Sequence, residues 1–184
     1  MGITIYYSGK ILEKNRIDDF VNELCDICQT MNWEFDTFTF ENMKFFEGVS
    51  LRLPFCETLH FCFDSMGRLI QPMLIEKQIS TNKYPDSAYN LFCKTQYGGA
   101  EAHKIIIKLI QYLTLKYELE IEVADETNYW NSNDESDLVQ KFDKMNFIID
   151  GFNNAINGEK NEFSELSNRL LVELEKFKKK LDDN

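Results

Sequence analysis

No run in this sequence approaches the ~18 consecutive apolar residues that cross a bilayer, so no membrane span is expected. Met1–Ile11 has neither the basic start nor the apolar core of a secretory signal, and a cytoplasmic location is the expectation. Also missing are a Gly-x-Ser-x-Gly elbow, a Gly-rich phosphate loop ending in Lys-Ser or Lys-Thr, and a dinucleotide fingerprint. With only 2 histidines, His60 and His103, any His-dependent acid–base chemistry would rest on one of them. Basic residues are outnumbered, 20 Lys and Arg against 31 Asp and Glu. The resulting net charge of -11 opposes binding to nucleic-acid phosphates, which takes clustered cations. The 5 cysteines are odd in number and spread through segments that read as helix and strand, which argues against a disulfide framework and for free, mostly buried thiols.

What is present is apolar enough to fold: 43% hydrophobic, with 15 Phe and 8 Tyr in 184 residues. That length fits a single domain. Ile3, Ile5 and Tyr7 alternate with polar neighbours as in a half-buried strand, and a helix over 14–32 follows, with Ile17, Phe20, Val21, Leu24 and Cys28 on one face. Short strands are predicted at 35–40, 49–53 and 59–63. Turn chemistry at Asp64-Ser65-Met66-Gly67 then predicts an antiparallel return over 68–74. Residues 81–88 read as a surface loop. Strand 91–95, a break at Gly98-Gly99, a helix over 100–117 and strand 118–123 form a β-helix-β unit. Ser132 and Glu135 match a capping box opening a helix to about Ile156. A last helix carries Phe163, Leu166, Leu170, Leu174, Phe177 and Leu181 at three- and four-residue steps.

The fold expected is therefore α+β: a mixed, mostly antiparallel sheet of about six strands with a βαβ crossover, packed against helices. A C-terminal helical hairpin completes it. Residues 1–157 form the α+β domain, and 158–184 a helix packed within that domain on the helix 134–156.

Strands joined by one helix run parallel, so the ends of 91–95 and 118–123 and the helix start should share one sheet edge, where ligands of such sheets favour binding. There lie Lys94, Gln96 and Tyr97, then Glu101 and His103, then Asp125, Glu126, Tyr129 and Trp130. The helix start and its glycines suit an anion or carbonyl. Each residue also has a plain structural reading. His103 can cap its own helix turn, Asp125 and Glu126 can serve as capping loop acids, and Tyr129 and Trp130 can roof the core. His103, Asp125 and Glu126 would supply three metal ligands only if the loop folded back, and no motif spacing supports it. Neither Cys25 and Cys28, inside an amphipathic helix, nor His60 between Cys56 and Cys62 makes a convincing metal or redox site. No cofactor or metal is expected.

Between Glu118 and Gln140 there are many carboxylates and no Lys or Arg. Such a window is either a solvated face or a docking surface that steers a basic partner, with Tyr129 and Trp130 as anchors.

Gly48–Pro54, Leu59–Asp64 with Gly67-Arg68-Leu69, Lys94-Thr95-Gln96-Tyr97 with His103, and Val123–Glu126 with Tyr129-Trp130 together resemble an uncharacterised family of small bacterial proteins. The likeness covers roughly Met1–Phe152. It departs at Asn128, where the family pattern implies Gly, and at Asn131-Ser132, where it implies Glu-Thr. It implies Gln96, His103, Asp125, Glu126, Tyr129 and Trp130 as a linked set, and no activity. Small acidic α+β proteins also look like the immunity proteins of bacterial toxin systems, by analogy of fold and charge. The leading expectation is a non-enzymatic binding protein, an immunity-like inhibitor docking a basic protein through its acidic face. The alternatives are a small-molecule-binding or metal-dependent enzyme with its site at the carboxyl edge, and a scaffold assembled through the last helix.

Overall fold

In Thr4–Ile11 (β1), Ile5, Tyr7 and Ile11 are buried while Tyr6 and Lys10 are exposed, the alternation of a strand with one dry face. The structure, a computed structural model, describes residues 2–39, 46–77, 84–157 and 171–172. The chain divides into two compact units, Met1–Leu138 and Val139–Asn184.

In the first unit a 3-10 turn at Lys14–Arg16 leads into α1 (Ile17–Met31), which ends where Asn32 turns left-handed at φ 54°. A meander follows: β2 (Glu34–Thr39), β3 (Glu47–Arg52) and β4 (Leu59–Phe63), all antiparallel. Next come α2 (Pro72–Lys77), a 3-10 turn at Asp86–Tyr89, β5 (Leu91–Lys94), α3 (Gly99–Tyr117) and β6 (Leu119–Asp125). A short helix α4 (Tyr129–Ser132) precedes α5 (Glu135–Asn157), which continues into the second unit. No helix among the described residues is long and apolar enough to cross a membrane.

The strands form two three-stranded sheets, β5-β1-β6 and β2-β3-β4, rather than one sheet of about six strands. The reason lies at 64–72. Asp64 Oδ1 accepts the amides of Met66 and Arg68, closing the turn, and Gly67 sits at φ 78°, where an added Cβ would come 2.8 Å from the Ile11 carbonyl oxygen. The chain then returns for only three residues. Ile70 donates to Cys62 and Leu69 to Gly9, so this short segment bridges β4 on one side and β1 on the other. Pro72 has no amide to extend a ladder and a φ suited to a first helical turn, so the expected strand over 68–74 gives way to α2.

β5 and β6 each run antiparallel to β1, hence in the same direction as each other with β1 between them. That is the βαβ crossover, spanning the central strand. Phe20 of α1 sits at the centre of the core, its ring 5.5, 5.2 and 5.1 Å from those of Phe61, Phe63 and Tyr117. Those edge-on contacts join α1, β4 and α3.

One further local reading is corrected: the capping box at Ser132 and Glu135. The cap of α5 is Asp134, whose Oδ1 accepts the amides of Ser136 and Asp137, and Ser132 Oγ only receives the Asp134 amide. Beyond it α5 keeps Phe142 buried. The expected last helix, and with it the helical hairpin, lies outside the described residues apart from Leu171 and Val172; of the loop expected at 81–88, residues 81–83 lie outside them and the rest leads into the 3-10 turn Asp86–Tyr89.

Candidate functional site

Antiparallel pairing places the carboxyl ends of β5 and β6 beside the start of β1. Side chains from both ends tie that start down: the Ile3 amide donates to Gln96 Oε1 at 3.0 Å, and the Thr4 amide to Glu126 Oε2 at 2.8 Å. Main-chain bonds from Thr95 to Ile3 and from Glu126 to Thr4 complete the clamp.

Behind it lies a buried polar network. His103, in the second turn of α3, has Nδ1 2.8 Å from Thr95 Oγ1 and Nε2 3.1 Å from both Asp125 Oδ1 and Thr127 Oγ1. Nε2 thus faces Asp125 and Thr127, while Nδ1 shares a hydrogen bond with the Thr95 hydroxyl, which also lies 3.4 Å from the Ile3 carbonyl oxygen. Asp125 also accepts the amides of Thr127 and Trp130 and the Thr127 hydroxyl. Burial alone would raise the pKa of Asp125; the bond from His103, aided by the Trp130 and Thr127 amides, outweighs it and brings the group down to about 2.

Thr95, His103 and Asp125 have the connectivity of nucleophile, base and orienting acid. They lack access. Thr95 and His103 are 0% exposed and the Asp125 side chain 1%. The network works as an internal brace that fixes the loop after β6 to the first turns of α3. The same bonds answer the metal reading, because His103 and Asp125 face each other and Glu126 turns to Thr4. Among the described residues no group of three or more His, Cys, Asp or Glu side chains could hold a metal ion.

The residues singled out by sequence therefore separate. Gln96, His103, Asp125 and Glu126 meet at one edge, joined by the main chain of Trp130. Tyr129 is buried, with Lys108 Nζ 5.5 Å from its ring centre, and Trp130 is half-buried. Tyr97 instead stands 72% exposed, 6.0 Å from Lys94 Nζ, outside the network. Asn128 adopts φ 60°, a backbone conformation that suits Gly or Asn.

Sequence reasoning missed Thr95 and Thr127. The legible signal was Asp125 two residues ahead of Thr127, the spacing of a side-chain-closed turn. It missed a surface feature as well. On the open face of β5-β1-β6, Tyr6 and Phe92 lie side by side, ring centres 6.4 Å apart and both nearly half exposed. Across β1 from Ser8 and Lys10 stand Glu122 and Glu120, the latter 2.9 Å from Lys10 Nζ. With Arg68 and Tyr89 they border a broad, shallow depression of about 690 Å³. Like Glu120, several acids near Trp130 are already engaged: Glu101 and Glu135 with Lys104, Asp134 as a helix cap.

All 5 cysteines are free, and burial pushes the thiols of Cys28 and Cys56 up to about 11 and that of Cys62 to about 12. They are poor nucleophiles at neutral pH.

No family model matches this chain, and no curated protein or solved structure matches it, so the resemblance drawn above rests on the residues quoted for it.

Proposed function

We propose that this chain is a non-enzymatic binding protein that docks a basic protein partner on the open face of β5-β1-β6. The observation that carries the reading is the exposed Tyr6–Phe92 pair on the same sheet face as two exposed carboxylates, Glu122 opposite Ser8 and Glu120 opposite and paired with Lys10. Aromatic side chains offer large contact area at small entropic cost, and flanking charge of one sign steers and selects an oppositely charged partner. The polar cluster that would otherwise suggest catalysis is sealed from solvent. This moves the docking face from the neighbourhood of Trp130 to the sheet. An immunity-like inhibitor covering the basic site of a toxin is one form of this function, suggested by analogy of size, charge and fold class.

The test is partner capture on immobilised protein, with identification by mass spectrometry and measurement of affinity using the purified partner. A basic partner is expected, and Phe92→Ala or the pair Glu120→Lys and Glu122→Lys should each weaken it at least tenfold. Undiminished affinity in both variants would overturn the reading.

A further inference from the structure

β6 is the last strand of its sheet, and one set of its main-chain groups faces outward. Which set follows from the bonds of β1. Thr95 donates to Ile3, Leu69 to Gly9, and Ile11 donates to Gly67, so odd-numbered residues of β1 bond on the β5 side. The Glu126 amide donates to Thr4, so even-numbered residues bond towards β6. In the register, Thr4, Tyr6, Ser8 and Lys10 therefore exchange bonds with Glu126, Ala124, Glu122 and Glu120. Ile121 and Val123 aim their amides and carbonyls away from β1. Asp125 does too, but its carbonyl is taken by the Asn128 amide at 2.9 Å. Among the described residues no ladder or turn bond reaches the outward groups of Ile121 and Val123.

We propose that this edge accepts an extended segment of the basic partner as a fourth strand, one in which Lys or Arg alternates with apolar residues. The proposal rests on the binding function above and specifies its mode. A strand added at the edge lies ~4.8 Å away, and its side chains alternate faces in step with β6. One set would stand beside Glu120 and Glu122, exposed on the outer face; the other would stand beside the half-buried Ile121 and Val123. Opposite charges on neighbouring strands stabilise pairing, and like charges oppose it. The two glutamates thus favour a lysine-bearing strand and work against pairing with the same edge of a second copy.

The probe is an eight-residue peptide of alternating lysine and valine with blocked ends, titrated by NMR with hydrogen exchange at the Ile121 and Val123 amides. Binding should slow both amides at least tenfold. Val123→Pro deletes an outward amide while leaving the β1 ladder intact, and it should reduce affinity at least tenfold. The same peptide N-methylated at alternate residues tests the pairing without altering the protein, and should not bind. Glu120→Gln with Glu122→Gln should weaken binding in low salt. No binding, binding without slowed exchange, equal binding by the N-methylated peptide, or protection of both amides by self-association would each overturn the proposal. If the natural partner requires Glu120 and Glu122 yet binds Val123→Pro undiminished, the strand addition falls and the docking function stands. Indifference to both changes removes both.

Discussion

Asp125 collects bonds from His103, the Thr127 hydroxyl and the Thr127 and Trp130 amides, so a single carboxylate fixes the loop after β6. Replacement by Asn turns an acceptor into a group whose NH2 faces other donors. Asp125→Asn should cost about 2–4 kcal/mol, read from urea unfolding at pH 7. The pH dependence has a definite sign. A carboxyl whose pKa falls on folding from its ordinary 3.8 to about 2 contributes stability above the unfolded value and loses it as pH falls through the folded one. The native chain should therefore lose about 2 kcal/mol of this contribution between roughly pH 4 and pH 2, and Asp125→Asn should lose correspondingly less. Parallel losses in the two proteins would refute the role given to this carboxylate.

At the scale of elements, the start of α5 separates two sequence signals that look alike. Ser132 with Glu135 fits a capping box, but Asp134 makes the bonds to Ser136 and Asp137. Asp134→Ala should lower stability by about 1 kcal/mol and Ser132→Ala by a few tenths, compared by thermal unfolding; a larger loss at Ser132 would reinstate the box. Periodicity made β1, α1, α3 and β6 legible because each buries one face, and burial leaves a repeating mark in the sequence. Pairing was less legible. Whether strand 59–63 continues into a common sheet depends on three residues, Arg68–Ile70, bonding to two strands at once, and no local pattern encodes that. At the site, chain direction brought Gln96, His103, Asp125 and Glu126 to one edge, while the burial of His103 and the Asp125 side chain depended on α3 and the segment 127–132 closing over them. Thr95 and Thr127 were overlooked because a threonine in a strand or turn looks the same whether or not its hydroxyl completes a network.

For the whole molecule, the net charge of -11 acts at a distance that no single contact does. Long-range attraction accelerates encounter with a basic partner and is screened beyond a Debye length of about 8 Å at physiological ionic strength. The main-chain pairing proposed at the β6 edge and the proposed burial of Phe92 in a complex would be short-ranged and respond far less to salt. The two contributions can therefore be separated kinetically. Raising salt from 50 to 500 mM should slow association with the basic partner by roughly tenfold or more and change dissociation much less. Glu120→Gln with Glu122→Gln should flatten that dependence only in part, because most of the 31 acidic residues lie elsewhere. Phe92→Ala should act in the opposite sense, speeding dissociation while leaving the salt dependence of association unchanged. Stopped-flow measurements on the native chain and the variants distinguish these patterns, and an association rate indifferent to salt would remove electrostatic steering from the account.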